Sequence, residues 1–285
     1  MKQGRQISPF TTARITTLAI ASSVLMLSAC GGGGASGNNG GGYNGENNGG
    51  NVPSPSGSVS ANFVSNGNTP KFILANFGRE VIGGLTAPVQ NAGGDVTTLD
   101  KYTLSGSPAV TQDIAGDANF AMGRWVWGTV SDTSTNTVIG TMNASYIDNS
   151  FTWHYLLLNN ASSWPSSGTK TCDNGVFTKP TTTGAVTTNS QTTGSLATLS
   201  FAASRATLGF TLTTTDSGSS NTTSFSTADL GYGITTLVNG TGGGKADTWI
   251  LLSDGGSGAI RINGLYTTAL PNGHTYKGVF SFKCQ

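Results

Sequence analysis

Charge is scarce in this chain: Lys, Arg, Asp and Glu make up 9% of 285 residues, as 14 bases against 13 acids. No basic cluster follows Arg14, so there is no electrostatic footprint for phosphates and nucleic acid is not expected as a partner. Histidine is rarer still, with His154 and His274 alone. Neither stands in a nucleophile-elbow, zincin, P-loop or dinucleotide pattern, and both read as structural or surface residues, because triads need three placed groups. Asp148, Asp173, Asp216 and Asp254 border turn signals, where bonding to nearby backbone explains them. A glycosidase needs two opposed carboxylates in one cleft, and the linear sequence offers no such pair. The chain is therefore expected not to be an enzyme and to carry no cofactor and no metal. Also missing are helical periodicity of ordinary length, a sustained heptad, a strict glycine period and any second long apolar run, which excludes coiled coil, collagen and a multi-pass helical membrane protein.

What is present begins with an address. Residues 1–29 combine a basic start (Lys2, Arg5, Arg14), an apolar stretch over 15–27 and small residues before Cys30, the pattern of an export signal. Leu27-Ser28-Ala29-Cys30 resembles the bacterial lipobox, which implies cleavage before Cys30 and acylation of its thiol; an ordinary secretory signal with an incidental cysteine is the alternative. An acyl chain anchors without a spanning helix. Gly31 rather than Asp after the anchor implies, by resemblance to Gram-negative lipoproteins, sorting to the outer membrane, with either a surface or a periplasmic orientation. Residues 30–60, rich in Gly, Asn and Ser and ending near Pro53-Ser54-Pro55, read as a flexible tether, because such a stretch buries too little apolar surface to offset its entropy.

From 61 to 285 the pattern predicts an all-β domain. Short alternating runs at 97–104, 119–130, 151–158, 206–214, 247–252, 259–266 and 275–283 place successive side chains on opposite faces. In 151–157, Phe151, Trp153 and Tyr155 share one face and Thr152, His154 and Leu156 the other. Asn174-Gly175, Asn239-Gly240, Asp254-Gly255 and Asn272-Gly273 supply turn chemistry, while Asn263-Gly264 inside a strand pattern reads as a bulge or bend. So many antiparallel strands must remove their edges by closing a barrel or stacking sheets. Residues 71–104 are a candidate for a small N-terminal sheet, with 105–116 a candidate boundary.

With Cys30 assigned to lipid, Cys172 and Cys284 form an even pair in an exported domain and are expected to be disulfide-bonded. Among the tryptophans, Trp125, Trp127 and Trp153 lie on strands and suit either a core or a barrel mouth. Trp164, before Pro165 in a loop, is the candidate ligand contact.

The strand Gly123-Arg124-Trp125-Val126-Trp127-Gly128-Thr129-Val130 resembles the opening strand of the small barrels in transferrin-binding-protein-B-like lipoproteins, and is similar to strands in the C-terminal barrels of some FecR-domain proteins. The segments at 165–169, 194–201, 206–212, 262–266 and 278–282 resemble the strands that follow. The resemblance covers about residues 119–285 and implies an eight-stranded, lipocalin-like antiparallel barrel, without carrying over a binding site. The expected function is a lipid-anchored binding module for a protein, haem-like or saccharide ligand. A structural envelope component and, less favoured, a carbohydrate-active enzyme on a β scaffold are the alternatives.

Overall fold

Alternation of apolar with polar or small side chains builds long elements such as Arg205–Asp216 of the computed structural model. It describes residues 52–285 apart from 87, 144–150, 162, 183–188, 204, 232–235 and 243–245. The expected signal peptide, Cys30, most of the tether and Asp148 lie outside the described residues. In chain order the strands are β1 (Gly57–Val59), β2 (Lys71–Ala75), β3 (Glu80–Gly84), β4 (Val89–Gln90), β5 (Val96–Leu99), β6 (Tyr102–Asp117), β7 (Phe120–Asp132), β8 (Thr137–Met142), β9 (Trp153–Leu158) and β10 (Ser167–Thr171). Then come β11 (Val176–Phe177), β12 (Thr181–Thr182), β13 (Gln191–Ala202), β14 (Arg205–Asp216), β15 (Ser219–Leu230), β16 (Thr236–Asn239), β17 (Thr241–Gly242), β18 (Ala246–Asp254), β19 (Ile260–Ala269) and β20 (Thr275–Cys284). The chain is all-β and barrel-like, with antiparallel sheet strongly curled into a half-barrel.

Three hydrogen-bonded sheets result. The first runs β3-β2-β9-β7-β6-β5-β4, with β8 on β7 and β1 on β6; the second runs β10-β13-β14-β15-β17; the third runs β11-β20-β19-β18-β16, with β12 also on β20. The sheets do not divide at residue 119, where the family resemblance begins, because β7 and β9 pair with β6 and β2. Nor is 105–116 a boundary. It lies within β6, which passes through three register shifts against β7.

Period-two alternation decides what each sheet covers. From β9, Trp153, Tyr155 and Leu157 pack with Phe72, Leu74 and Trp125 on one face of the first sheet. Leu156 and Leu158 join Ile73, Phe120 and Met122 on the other, against Leu251, Leu265 and Val279 of the third sheet. The opposite face of that third sheet packs Ile250, Ile262, Phe280 and Phe282 against Leu199, Phe210, Leu212 and Phe225 of the second. The third sheet is thus the middle layer, buried on both faces.

Three local expectations change, and one turn not among the expected ones is added. The run at 97–104 is a hairpin, because Asp100 takes a positive φ of 54° and lets Leu99 pair with Tyr102. The end of the tether is docked: β1 adds parallel to Ile114–Gly116 of β6, and Asp113 N–H donates to Ser56 Oγ. Asn263-Gly264 is no bulge, since register is unbroken from Ile260 to Ala269. A Cβ at Gly264 would meet the Phe280 ring instead, so the glycine makes room for a cross-strand aromatic. Finally, β14 and β15 are joined by Ser217-Gly218, both at positive φ, as a two-residue turn demands.

Candidate functional site

Cys172 and Cys284 are disulfide-bonded across 112 residues of sequence. They face each other as an isolated antiparallel bridge, flanked by Thr171 and Gln285 exchanging both backbone hydrogen bonds. The bond joins the end of β10 to the end of β20, and with it the second sheet to the third. It thereby fixes the segment that leads from β9 into β10, where Trp164 lies.

Trp164 is half-buried, packed edge-to-face on Phe201 of β13 with ring centroids 5.7 Å apart. Its Nε1 is buried, so the part of the indole that lines the adjoining cleft is hydrocarbon. The cleft has a volume of about 430 Å³, within the range usual for small-ligand sites. Ala161, Ser163, Trp164 and Pro165 make one wall, and the β18–β19 loop makes the other, from Asp254 through Gly256-Ser257-Gly258 to Ile260.

That loop owes its shape to three consecutive residues at positive φ: Gly256 at 75°, Ser257 at 52° and Gly258 at 79°. It is held from inside and outside. Asp254 Oδ1 accepts from Gly256 N–H at 2.8 Å, an Asx turn. Gly255 N–H donates to Ala259 O, and Ala259 N–H to Gly256 O. Lys170 Nζ donates to Gly258 O at 2.9 Å. Asp254 Oδ2 accepts from the Asn66 amide at 3.0 Å, and that amide also donates to Asn160 O. Asp254 N–H donates to Asn159 O. Three distant pieces of chain are knotted behind the cleft, so its walls are placed by tertiary bonds rather than by a free loop.

A larger and more open hollow of about 500 Å³ lies between Ser56, Asp113, Phe177 and Lys179. Its carboxylate is already engaged: Asp113 accepts from Arg124 Nε and from the Lys179 backbone N–H. Burial, followed by the nearby Arg124, lowers the Lys179 pKa. The smaller cleft is the better candidate, because it joins an aromatic wall to a shaped polar one.

The remaining candidates separate. His154 is fully buried, with Nδ1 on Thr178 Oγ1 and Nε2 on Thr181 Oγ1, each at 2.8 Å. Burial, reinforced by Arg124 and Lys277, holds its pKa well below 6.5, so the neutral ring is a cross-sheet link. His274 lies in the β19–β20 turn, its N–H on Asn272 Oδ1. Asp173 caps a turn through Gly175 N–H. Asp216 is buried and accepts from Tyr276 O–H at 2.6 Å; burial and that carboxylate push the Tyr276 pKa up to about 12. Trp125 and Trp153 are core, whereas Trp127 is half-buried. The expected disulfide is present and Trp164, the candidate ligand contact, lines a cleft, but sequence reasoning missed the facing wall. Its only local trace is Asp254-Gly255-Gly256-Ser257-Gly258, which reads as an ordinary turn until residues about ninety positions earlier are placed against it.

Comparison of the chain with protein-family profiles, with curated proteins and with solved structures finds no match.

Proposed function

We propose that the chain is a lipid-anchored lipoprotein of the bacterial outer membrane and acts as a non-enzymatic binding module, with the Trp164 cleft as its site. The observation that carries this reading is the cleft itself, a hydrocarbon indole surface fixed opposite a backbone-shaped polar loop. Its one carboxylate, Asp254, already accepts hydrogen bonds at both oxygens. That suits holding a ligand better than turning one over, since general acid-base work needs an oxygen aimed at the reacting atom. The lipobox-like Leu27-Ser28-Ala29-Cys30 supports the anchor, and the likeness of Gly123-Val130 to barrel lipoprotein strands supports the class. The hydrogen bond from Gln112 to Ser54 O ties the Pro53-Ser54-Pro55 end of the Gly/Asn/Ser-rich stretch to the domain, with roughly two dozen residues of sequence between it and Cys30.

Two measurements test the proposal. Mass spectrometry of the mature N-terminus should find Cys30 acylated, and Cys30→Ser should release the chain from membranes. An unmodified Cys30 would overturn the anchor. Incubation of the detergent-solubilised chain with glycans, haem and envelope or host proteins should yield a ligand whose retention falls with Trp164→Ala. Binding that ignores Trp164 would displace the site.

A further inference from the structure

We infer that the ligand of the Trp164 cleft is a saccharide, one or two rings long, stacked on the indole and hydrogen-bonded to the β18–β19 loop. This rests on the binding-module reading and narrows its three ligand classes to one.

The indole is the first argument. Because Nε1 is buried and the ring is braced by Phe201, the cleft meets carbon held in a fixed orientation. A π face carries negative charge density, and the axial C–H groups of a pyranose present a slightly positive, apolar patch of matching size. Stacking gains contact without ordering a loose side chain. The opposite wall is the second argument. A sugar rim is a ring of hydroxyls, each able to donate and accept, and needs partners of both kinds at close range. Ser163 and Ser257 are exposed on the two walls, 94 residues apart in sequence, and their hydroxyls have no protein partner among the described residues. Between them the loop turns its backbone through three positive-φ positions, and at Gly258, which lines the cleft, the place of a Cβ is open space, whereas at Gly256 it is taken up by the Asn119 side chain. The loop's shape is already fixed by Asp254, Lys170 and its own hydrogen bonds, so little ordering cost remains for a ligand.

The other two classes fit poorly. A haem needs an axial His, Cys, Met or Tyr and a deep apolar slot, and none of those residue types lines this cleft. A stable protein partner needs roughly 800 Å² on each side with aromatic or Arg anchors at its centre, whereas this cleft is closed around a single tryptophan. The near absence of charge fits a neutral ligand: Asp254 is the one ionisable side chain of the lining, and Asn66 and Gly256 occupy its oxygens.

The test is a glycan array probed with the full chain in detergent, followed by titration of each hit while Trp fluorescence is read. A saccharide should bind, with Trp164→Ala weakening it roughly tenfold or more and Trp164→Phe by less, because the smaller ring keeps a stacking face. Ser257→Ala should weaken it by roughly threefold, one neutral hydrogen bond, without disturbing the fold. Near-UV circular dichroism and the intact disulfide check that each variant is folded, and Ser257→Ala carries the test if Trp164→Ala is not. Host-type and bacterial-envelope glycans on one array separate the two sources of such a sugar. Haem or a protein bound in a Trp164-dependent manner, with no glycan hit, would overturn the saccharide and leave the binding module standing. Glycan binding that Trp164 and Ser257 variants leave unchanged would overturn this site. Failure of all three ligand classes would remove both readings.

Discussion

The strands β18, β19 and β20 are buried on both faces, and the two faces are made of different material. Against the second sheet they present Ile250, Ile262, Tyr266, Phe280 and Phe282 to mainly aliphatic and aromatic residues, with buried hydrogen bonds from Tyr266 to Thr192, from Asn221 to Thr268 and from Tyr276 to Asp216 among them. Against the first sheet, Leu251, Leu265 and Val279 alternate with Lys277, Arg261, Asn263 and Ser281, all buried. The polar members are paired in place, although Arg261 Nε is buried without a hydrogen-bond partner among the described residues. Arg261 pairs with Asp117 at 2.6 Å and lies 3.8 Å over the Phe120 ring. Lys277 pairs with Glu80, whose other oxygen accepts from Trp249 Nε1. Asn263 bonds Ser253 and Ser281. Area removed from water stabilises both faces, and the charge pairs of the second are expected to break even on stability while favouring one register.

The largest effect that would sharpen this contrast is expected from Phe280→Ala. The ring is fully buried and meets Phe177, Phe210, Tyr266 and Phe282, and Gly264 beneath it has no side chain to fill the gap. The variant should lose about 3–5 kcal/mol in urea denaturation. A loss under about 1.5 kcal/mol would mean that the aromatic face collapses around the hole.

The disulfide comes next, because it closes the same aromatic layer at its end. With the two cysteines 112 positions apart, reduction or Cys172→Ala/Cys284→Ala should cost about 3 kcal/mol, with about 5 as the loop-entropy ceiling. The midpoint of unfolding with and without reductant measures it. An unchanged midpoint would show that the sheets are held by packing alone.

On the polar face the informative experiment is a pair of variants. Asp117→Ala strands Arg261, whose side chain is 5% exposed, while Asp117 itself is 25% exposed; the cost should be about 2 kcal/mol, below that of a fully buried break. Asp117→Ala/Arg261→Met removes both charges and should recover to within about 1 kcal/mol of wild type. If the double variant is no better than the single, the pair supplies net stability and the two faces differ less than their composition suggests.

Much of this architecture is legible in the chain, because burial follows a local period. The opposed faces of β9 can be read from Trp153-His154-Tyr155-Leu156, and the strands at 206–214 and 275–283 stand within two residues of β14 and β20. What escapes is whatever depends on a distant edge. Gly57-Ser58-Val59 has the composition of a tether and becomes a strand because β6 leaves an edge free beyond its short pairing with β5. Arg124 looks like a surface base on a strand of tryptophans and is buried because Asp113, at an irregular stretch of β6, reaches it. Trp164 was visible as a loop tryptophan, but the wall facing it is contributed by the β18–β19 loop and depends on Asn66 and Asn159 meeting Asp254.

The smallest expected effect, absent at neutral pH, belongs to His154, which joins β9 on the polar face to the segment entering β12. Its folded-state pKa lies well below 6.5, first because of burial and then because Arg124 and Lys277 face it. Between those two values the unfolded chain binds a proton that the folded chain refuses, so stability is full above about pH 6.5 and declines as pH falls below it. In the neutral ring one nitrogen donates and the other accepts, and the Thr178 and Thr181 hydroxyls take the complementary roles. Protonation would turn both nitrogens into donors and set a third buried cation beside two existing ones. Denaturation midpoints compared at about pH 7.5 and about pH 5.5 should fall in the wild type and fall less in His154→Gln, whose amide keeps one donor and one acceptor. An equal fall in both proteins would show that the imidazole is not the element of this interface that responds to pH.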